Sequence, residues 1–288
     1  MTGGPIHVAY AADANYGPYA GISISSVLRR FPLDWGDLHF HLVSNGIAVR
    51  DIHRIDAMAK ANLASLSVHH WHGLNNREFP WRHSKYVTPS TYAKLLLARI
   101  LPSAIERVIY LDCDTIILTD ISELWRLTKE TSVLAACPDR HINSTMSDHK
   151  REIGMPPSVP YFNAGVLVMN LAAWREGKII TNISEAAKQI PECRFYDQDP
   201  LNRALADQMT ELPAKWNVQV NDAAMISDVG IVHFSGKQKP WQLGYDGAGA
   251  DLFRAAKRAS PWRYMLPETG LGRVIRRLQK SASKKLRV

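Results

Sequence analysis

The sequence predicts an α/β fold with a parallel sheet, and two observations support that prediction. From the start of the chain, short apolar runs rich in β-branched residues alternate with stretches of helical spacing, an order typical of a parallel sheet with helices on both faces. The 288 residues are 46% hydrophobic and 22% charged, which suits a globular protein with a full core. Neither an internal repeat nor a low-complexity linker interrupts the pattern, so one domain with a tail is the simplest organisation.

The first part of the predicted fold consists of five elements, three strands and two helices. Short apolar or alternating runs predict strands at 5–12, 37–44 and 66–71. Between them, apolar residues spaced three and four apart predict helices at 18–31 and 49–63. Each helix therefore connects two strands that run in the same direction.

The next helix is expected to begin at Thr88, whose side chain can cap it, with Pro89 in the first helical position. An apolar stripe follows, flanked by Thr91 and Lys94; its members are Ala93, Leu96, Leu97, Ile100 and Leu101. Further buried strands are predicted at 107–111, 132–137 and 161–170. The polar stretch at 139–158 is expected to be a long functional loop.

Cysteine usage and hydropathy indicate a cytoplasmic protein. Cys113, Cys137 and Cys193 are too few and too scattered for a disulfide framework or a CxxC metal site. No window approaches the roughly 18 apolar residues of a membrane-spanning helix, and the first residues lack a secretory signal pattern. Three histidines, His69, His70 and His72, lie close together in the sequence. Their spacing suits a strand entering a loop better than a closed zinc site.

Two aspartates end one of the predicted strands, in the sequence YLDCD at 110–114. Asp112 and Asp114 are two residues apart, so both point to the same side of an extended backbone. Adjacent carboxylates repel each other and favour a hard divalent cation between them and the phosphates of a ligand. The alternative is a strand-to-turn segment whose acids face water. Cys113 points the opposite way and is expected to be a small core residue.

A second stretch, VHFSGKQKPW at 232–241, offers groups that complement the two acids. His233 can be a neutral metal ligand at the end of an apolar run, and Gly236 permits close approach of the backbone to a ligand. Lys237 and Lys239 can neutralise a diphosphate. Singly, each residue also fits a strand end, a turn glycine or a solvated lysine; together with the acids they predict a site for a cation and a diphosphate.

The basic character of the chain is concentrated in its last 19 residues. These contain seven of the basic residues and no acid, which accounts for most of the formal net charge of +8. Leu271, Val274, Ile275 and Leu278 follow helical spacing, so the segment is expected to be a basic amphipathic helix suited to an anionic membrane surface. A solvated tail is the plain alternative, and a nucleic-acid contact is the least favoured one.

Six stretches, in order, resemble glycosyltransferase family 8, in particular its bacterial lipopolysaccharide galactosyl- and glucosyltransferases. They are AADANYGPY at 11–19, STYAKLLL at 90–97, YLDCD at 110–114, YFNAGVLVMNLAAWR at 161–175, YDQDPLN at 196–202 and HFSGKQKPW at 233–241. The resemblance implies a single GT-A domain, Rossmann-like, with a mixed, mainly parallel sheet. It places the catalytic domain at 1–250 and leaves 251–288 as a basic membrane-association segment.

The resemblance also implies a set of site residues. Asp112, Asp114 and His233 are expected to bind Mn²⁺, with Mg²⁺ as the alternative, and the cation to bridge the diphosphate of a UDP-sugar. The remaining nucleotide-sugar positions implied are Ala12, Asp13, Asn15, Tyr16, Thr91, Lys94, Cys113, Asn163, Ala164, Asp197, Gln198, Gly236 and Lys239. Gln198, Asp199 and Asp139 are the implied catalytic positions, with Asp139 near the acceptor. Trp71 and Trp81 are expected to line the acceptor site.

The family retains anomeric configuration, and two routes to that outcome stay open. A covalent route needs a nucleophile on the far face of the sugar. Gln198 matches that place but an amide is a poor nucleophile, and Asp199 is the nearest carboxylate of the motif. In the other route, the acceptor hydroxyl attacks from the front face and the leaving phosphate helps to deprotonate it.

The resulting prediction is a retaining hexosyltransferase that moves galactose or glucose from UDP to a hydroxyl of a lipopolysaccharide or other glycan acceptor. Its expected location is the inner face of the cell membrane, attached peripherally, without a nucleic-acid partner. The alternative is a catalytically silent nucleotide-sugar-binding protein. A Rossmann dehydrogenase is disfavoured because AADANYGPYAG, not G-x-G-x-x-G, follows the first strand; a metal-dependent phosphohydrolase would also need the acid pair.

Overall fold

The computed structural model describes residues 4–32, 36–73, 88–128, 133–220 and 227–269. The predicted tail helix at 270–288 and the predicted acceptor residue Trp81 lie outside these ranges. Among the helices that the structure describes, none combines the length and the apolar character needed to cross a bilayer.

The described chain alternates strands and helices, as the sequence predicts. The strands are β1 Ile6–Asp13, β2 Leu38–Asn45, β3 Ala64–His70, β4 Arg107–Leu111, β5 Thr115–Ile117, β6 Leu134–Pro138, β7 Phe162–Asn170, β8 Met209–Glu211, β9 Val218–Gln219 and β10 Ile231–His233. The helices are α1 Gly17–Leu28, α2 Val49–Ala61, α3 Pro89–Tyr92, α4 Leu97–Ile100, α5 Ile121–Leu127, α6 Arg140–Thr145, α7 Ser147–Glu152, α8 Leu171–Glu176, α9 Ile179–Gln189, α10 Gln198–Ala204 and α11 Ala250–Arg258.

A seven-stranded sheet in the order β3-β2-β1-β4-β7-β6-β8 forms the centre of the molecule. Its first four strands are parallel, whereas β7 runs antiparallel to both neighbours, β4 and β6. The mixed, mainly parallel sheet is therefore confirmed. The reversal of β7 brings its amino end beside the carboxyl ends of β1 and β4, so residues from three strands meet at one edge.

Three apolar clusters fill the space around the sheets. One face of β1 and β2 packs against α1, α2 and the small sheet β5-β10-β9. The opposite face packs against the segment from α3 to α4 and helices α8 to α10. A third, smaller cluster lies under α6 and α7, around Tyr161 and Ile153.

Two local predictions were wrong. The helix expected from residue 88 is split, because residues Ala93–Leu96 form a 3-10 turn between α3 and α4. Pro89 does occupy the first turn, but the Thr88 side chain forms no capping bond; its carbonyl accepts from the Thr91 N–H at 3.0 Å. The stretch at 139–158 is not a plain loop, since it contains α6 and α7 and covers the third cluster.

The segment around α11 packs on the first face of the sheet. Phe253 and Trp262 are buried in that cluster, and the Trp262 indole donates to Asp51 Oδ1 at 3.1 Å. Gly21 of α1 accommodates the indole, because an added Cβ would lie 2.0 Å from it. The folded domain thus extends to Trp262, past residue 250, and the membrane role of 251–288 stays a prediction.

A histidine ladder (His7, His41 and His69) crosses β1, β2 and β3 on one face of the sheet. His41 Nε2 lies 3.0 Å from His7 Nδ1, and His41 Nδ1 lies 3.1 Å from His69 Nε2. Burial, followed by the neighbouring His39, lowers the pKa of His7 to about 4. Burial, followed by the neighbouring histidines, lowers the pKa of His41 to about 3. The three histidines are therefore neutral at pH 7. In each hydrogen bond of the ladder, one imidazole nitrogen donates its proton and the other accepts it.

This ladder predicts acid sensitivity. Unfolded histidines have a pKa near 6.5, so from about pH 6.5 down to about 4 the unfolded chain binds more protons, and stability falls as the pH falls. Each proton taken up on unfolding changes the free energy of unfolding by about 1.4 kcal/mol per pH unit. We expect His41→Gln to be less stable at pH 7 and to lose less stability between pH 7 and 5, measured by urea unfolding. The exposed His53→Gln should keep the wild-type slope; an unchanged slope in His41→Gln would contradict the assignment.

Candidate functional site

The site is built where β4 ends and turns into β5. The antiparallel pairing of β4 with β7 continues one residue past β4, because Asp112 N–H donates to Gly165 O at 2.8 Å. The chain then turns, and the Thr115 hydroxyl donates to Asp112 O at 2.8 Å. Strand β10 pairs with β5 so that His233 lies opposite Thr115, beside the turn. Strand pairing within the large sheet (β4 with β7) and within the small sheet (β5 with β10) therefore brings the two aspartates and His233 together.

These three residues form the three-ligand cluster (Asp112, Asp114 and His233), whose donor atoms all lie within 4.8 Å of one another. His233 Nε2 is 3.8 Å from Asp112 Oδ2 and 3.4 Å from Asp114 Oδ1. Among the residues described, this is the one group of three or more histidine, cysteine or acidic side chains with such spacing.

In each cluster residue, the other polar side-chain atom (the second carboxylate oxygen or the second imidazole nitrogen) binds a group outside the cluster. Asp112 Oδ1 accepts from Lys94 Nζ at 3.0 Å and from the Tyr110 hydroxyl at 2.7 Å. Asp114 Oδ2 accepts from Lys239 Nζ at 2.5 Å. His233 Nδ1 lies 3.0 Å from Asn217 Oδ1. One oxygen of each carboxylate and one imidazole nitrogen are thus left to face a shared point.

A divalent cation fits this donor set. Two carboxylate oxygens and one neutral imidazole nitrogen are the ligand types that Mn²⁺ accepts, and the oxygens also suit Mg²⁺. The orientation of His233 is fixed through its other nitrogen, as metal-binding histidines usually are. The Asp112 side chain is 27% exposed, so the cluster opens to solvent on one side.

Lys94 is the buried cation beneath the cluster. Its side chain is 3% exposed, and its Nζ lies 3.0 Å from Asp112 Oδ1, from Asp197 Oδ2 and from Ala164 O. Burial alone would lower the pKa of Lys94, but Asp112 and Asp197 more than offset it and raise the pKa. The 3-10 turn at Ala93–Leu96 carries this lysine, so the break in the predicted helix lies at the site.

The acids respond differently to burial. Burial alone would raise the pKa of Asp114, but the neighbouring Lys239 ammonium holds it well below its usual range. Burial, only partly offset by Lys94, raises the pKa of Asp197. Asp114 is thus the more firmly ionised of the two.

The turn after β1 lies next to the cluster. Asp13 Oδ1 accepts from the N–H groups of Asn15 and Tyr16, at 2.8 and 3.2 Å, and closes the turn into α1. Burial, with the nearby Asp114 charge second, raises the pKa of the Tyr16 phenol. Trp241 meets the Tyr16 ring edge-on at 5.7 Å, which ties the segment after β10 to this turn.

Asn163, Ala164 and Gln198 lie at the amino end of β7. Gln198 Oε1 accepts from Ala164 N–H at 2.9 Å, and its amide nitrogen is 3.4 Å from Asp139 Oδ2. Asp139 Oδ2 also accepts from Asn163 Nδ2 at 3.1 Å, while its Oδ1 caps α6. Asp139 is 5% exposed, and both its oxygens are bound inside the protein, Oδ1 to the Ile142 N–H and Oδ2 to the two side-chain amides.

Asp199 is held away from solvent. Its Oδ1 accepts from the Tyr161 hydroxyl and lies 2.7 Å from His149 Nε2, and its Oδ2 accepts from Phe195 N–H at 3.0 Å. The side chain is fully buried. A catalytic role for Asp199 stays a prediction, and its contacts are those of an anchor between α10 and α7.

The remaining predicted site residues do not bind the side chains of the three-ligand cluster in the contacts described above. Cys113 is buried and its Sγ contacts Ala11 O at 3.4 Å, which fits the expected core role. Ala12 is buried at the end of β1, and Thr91 lies in α3, one turn before Lys94. Gly236 is exposed with φ of +93°, a backbone conformation that favours glycine.

Sequence reasoning missed three residues of the site. Tyr110 binds Asp112, and Asn217 binds His233. At Gly165, an added Cβ would lie 2.1 Å from the His233 ring, so glycine makes room for the imidazole. Tyr110 and Gly165 lie inside YLDCD and YFNAG, but the sequence near Asn217 carries no motif.

Comparisons with known proteins bear on the family and the overall fold of this chain. The family model described as Glycosyl transferase family 8 matches residues 7–243. The lipopolysaccharide 1,3-galactosyltransferase of Salmonella typhimurium is 27% identical, with 90% of this chain and 79% of that protein covered. The lipopolysaccharide glucosyltransferase WaaO of Escherichia coli is 26% identical over the same shares. A solved structure of the galactosyltransferase LgtC, in complex with donor and acceptor sugar analogs, superposes with a TM-score of 0.80 at 25% identity, covering 89% of this chain and 96% of that one.

The Lys94 contacts predict a large cost for removing its charge. Lys94→Met leaves Asp112 and the buried Asp197 without their shared cation, and breaking a buried ion pair costs about 3–5 kcal/mol. Urea unfolding without metal at pH 7 measures the loss. Lys188→Met, which removes an exposed pair with Glu185, should cost about 0.2–1 kcal/mol. Equal losses in the two variants would contradict the buried-cation assignment.

Proposed function

The chain belongs to glycosyltransferase family 8, and on that premise we propose that it transfers galactose or glucose from a UDP-sugar to a glycan hydroxyl. The proposed acceptor is a lipopolysaccharide or another glycan, and the proposed outcome is retention of the anomeric configuration. The named activities of the Salmonella and Escherichia coli relatives support a hexose donor and a lipopolysaccharide acceptor.

The observation that most supports this proposal is the three-ligand cluster. Each of its side chains is anchored through one atom and presents another to a common point. Such an arrangement holds a cation without first reorganising, and pre-organised ligands lower the cost of binding. Mn²⁺ bound there would act as a Lewis acid on the diphosphate of the donor.

Lys239 is the proposed protein contact to the leaving group. It lies at the edge of the cluster, with its side chain 14% exposed, and binds Asp114 Oδ2 and Phe234 O. A UDP group departs with growing negative charge, and a fixed cation beside it stabilises the transition state more than the ground state. Gly236, exposed just before it, lets the backbone approach the same diphosphate.

Front-face attack is the proposed route to retention. Gln198 is a poor nucleophile, and its oxygen is bound to Ala164 N–H. Both oxygens of Asp199 are bound inside the protein. A covalent route through Asp199 would first have to break these contacts, whereas front-face attack leaves them intact and uses the departing phosphate to accept the proton of the acceptor hydroxyl.

The proposed division of the chain is a catalytic domain, which includes α11 and Trp262, followed by a membrane-association segment in the rest of the predicted stretch 251–288. The basic residues and helical apolar spacing after residue 270 support it, and so do Tyr264 and Leu266, which are 86% and 84% exposed just before that stretch. An enzyme whose acceptor is embedded in a membrane gains local concentration by lying on the membrane surface.

The donor half of the proposal predicts metal-dependent binding and slow hydrolysis of one UDP-hexose. UDP-glucose, UDP-galactose and UDP-galacturonate are each added with Mn²⁺ or EDTA, and melting temperature and UDP release are measured. We expect one UDP-hexose to raise the melting temperature only with Mn²⁺ and to be hydrolysed slowly. NMR of the released hexose should show the α-anomer first, because a front-face reaction with water retains the configuration of an α-linked donor.

Asp114→Asn should abolish both effects, because it removes a charged ligand from the cluster. The exposed Asp148→Asn is the matched control and should behave like wild type. Stabilisation by a UDP-hexose without any turnover would favour the silent binding protein. No stabilisation by any UDP-sugar with Mn²⁺ present would overturn the proposal.

A further inference from the structure

A continuous line of side-chain hydrogen bonds connects Asp139 to His233. Asn163 Nδ2 donates to Asp139 Oδ2 at 3.1 Å, and Asn217 Nδ2 donates to Asn163 Oδ1 at 2.9 Å. His233 Nδ1 lies 3.0 Å from Asn217 Oδ1. All four residues of this amide relay (Asp139, Asn163, Asn217 and His233) are buried, with exposures of 4–6%.

The direction of every bond in the relay is determined by one backbone group. Gly165 N–H donates to Asn163 Oδ1 at 2.9 Å, and a backbone N–H can only donate. The Asn163 carbonyl must therefore face Asn217, which meets it with its NH₂ group and turns its own carbonyl toward His233. An amide oxygen can only accept, so the imidazole must donate from Nδ1.

The relay acts against a competing arrangement. His233 Nε2 lies 3.4 Å from Asp114 Oδ1 and 3.8 Å from Asp112 Oδ2. A neutral imidazole between two carboxylates gains a charge-assisted hydrogen bond when its proton is on Nε2. That tautomer would occupy the only ligand atom that His233 offers to a cation. With its proton held on Nδ1 by Asn217, the lone pair of Nε2 faces the cluster instead.

We propose that Asn217 is a positioning residue that holds His233 in the Nδ1–H tautomer and so keeps Nε2 available to a divalent cation. Asn163 and Gly165 fix the Asn217 amide, and Asp139 fixes Asn163. The relay thereby links the metal side of the site to the side that carries Gln198, which also contacts Asp139. The inference rests on the proposed metal site, but it concerns a residue that is not a member of the three-ligand cluster.

The tautomer of the neutral imidazole is measured directly on metal-free protein, at a pH high enough that the His233 signals no longer change with pH. Long-range ¹H–¹⁵N correlation spectra of histidine-labelled protein distinguish protonated from unprotonated imidazole nitrogens, and His233→Gln assigns the signal. We expect Nδ1–H in the wild type and Nε2–H in Asn217→Leu. The variant Asn217→Asp keeps an acceptor for Nδ1, so it should keep the wild-type tautomer.

Mn²⁺ affinity, measured by EPR titration without any sugar, gives the second readout. Loss of a residue that orients a metal ligand costs about 10–100-fold in affinity. We expect a loss in that range for Asn217→Leu, and for Asn217→Asp an affinity within about threefold of wild type. Asn170→Leu, which removes an amide at the opposite end of β7 that caps α8, should lower stability without changing Mn²⁺ affinity.

The outcomes separate this inference from the proposed function. If the wild type binds no Mn²⁺, the metal site itself is wrong and the relay has no role in it. If the wild type binds Mn²⁺ and Asn217→Leu keeps both the Nδ1–H tautomer and the affinity, only the relay is overturned. If Asn217→Leu does not fold, Asn217→Asp still decides, because an Nε2–H tautomer in that variant would contradict the inference.

Discussion

The structure of the site depends on how two carboxylates at the end of an apolar strand are neutralised. Asp112 and Asp114 leave β4 where the core ends, and uncompensated charges there would cost several kcal/mol. Lys94 binds one carboxylate oxygen of Asp112, and Lys239 binds one carboxylate oxygen of Asp114. This division leaves the other oxygens turned toward His233. The same contacts that offset the cost of burying the acids therefore shape a candidate cation site.

Several features of the backbone follow from that arrangement. Lys94 reaches Asp112 from a 3-10 turn that interrupts a helix, and β7 runs against its neighbours so that its amino end lies beside the carboxyl end of β4. Gly165, in the paired part of β7, provides the space that the His233 ring occupies. The small sheet then brings His233 to the aspartates through the pairing of β5 with β10. The same backbone packing therefore determines both the fold and the arrangement of the site residues.

Periodicity and motifs predicted the alternating fold and most of the residues that the structure brings around the cluster, because each of those signals is local. The pairing partners were out of reach. Nothing in the local sequence shows that β7 is reversed, that His41 bonds both His7 and His69, or that Asn217 faces His233. The stretch at 139–158 looked like a loop because its polar residues hide short helices whose apolar contacts, such as Ile142 and Ile153, are few. Asp199 shows the limit of motif reasoning, since its neighbours along the chain do not reveal that both its oxygens are bound inside the protein.

The central claim is that Asp112, Asp114 and His233 together hold a divalent cation that meets a nucleotide diphosphate. Pulsed EPR of Mn²⁺ bound to the protein tests it most directly, because it detects nuclei coordinated to or near the metal. The account predicts ¹⁴N coupling from one imidazole, lost in His233→Gln, and additional ³¹P coupling when UDP is added. Tightly bound Mn²⁺ with no nitrogen coupling, or with no phosphorus coupling in the presence of saturating UDP, would contradict it.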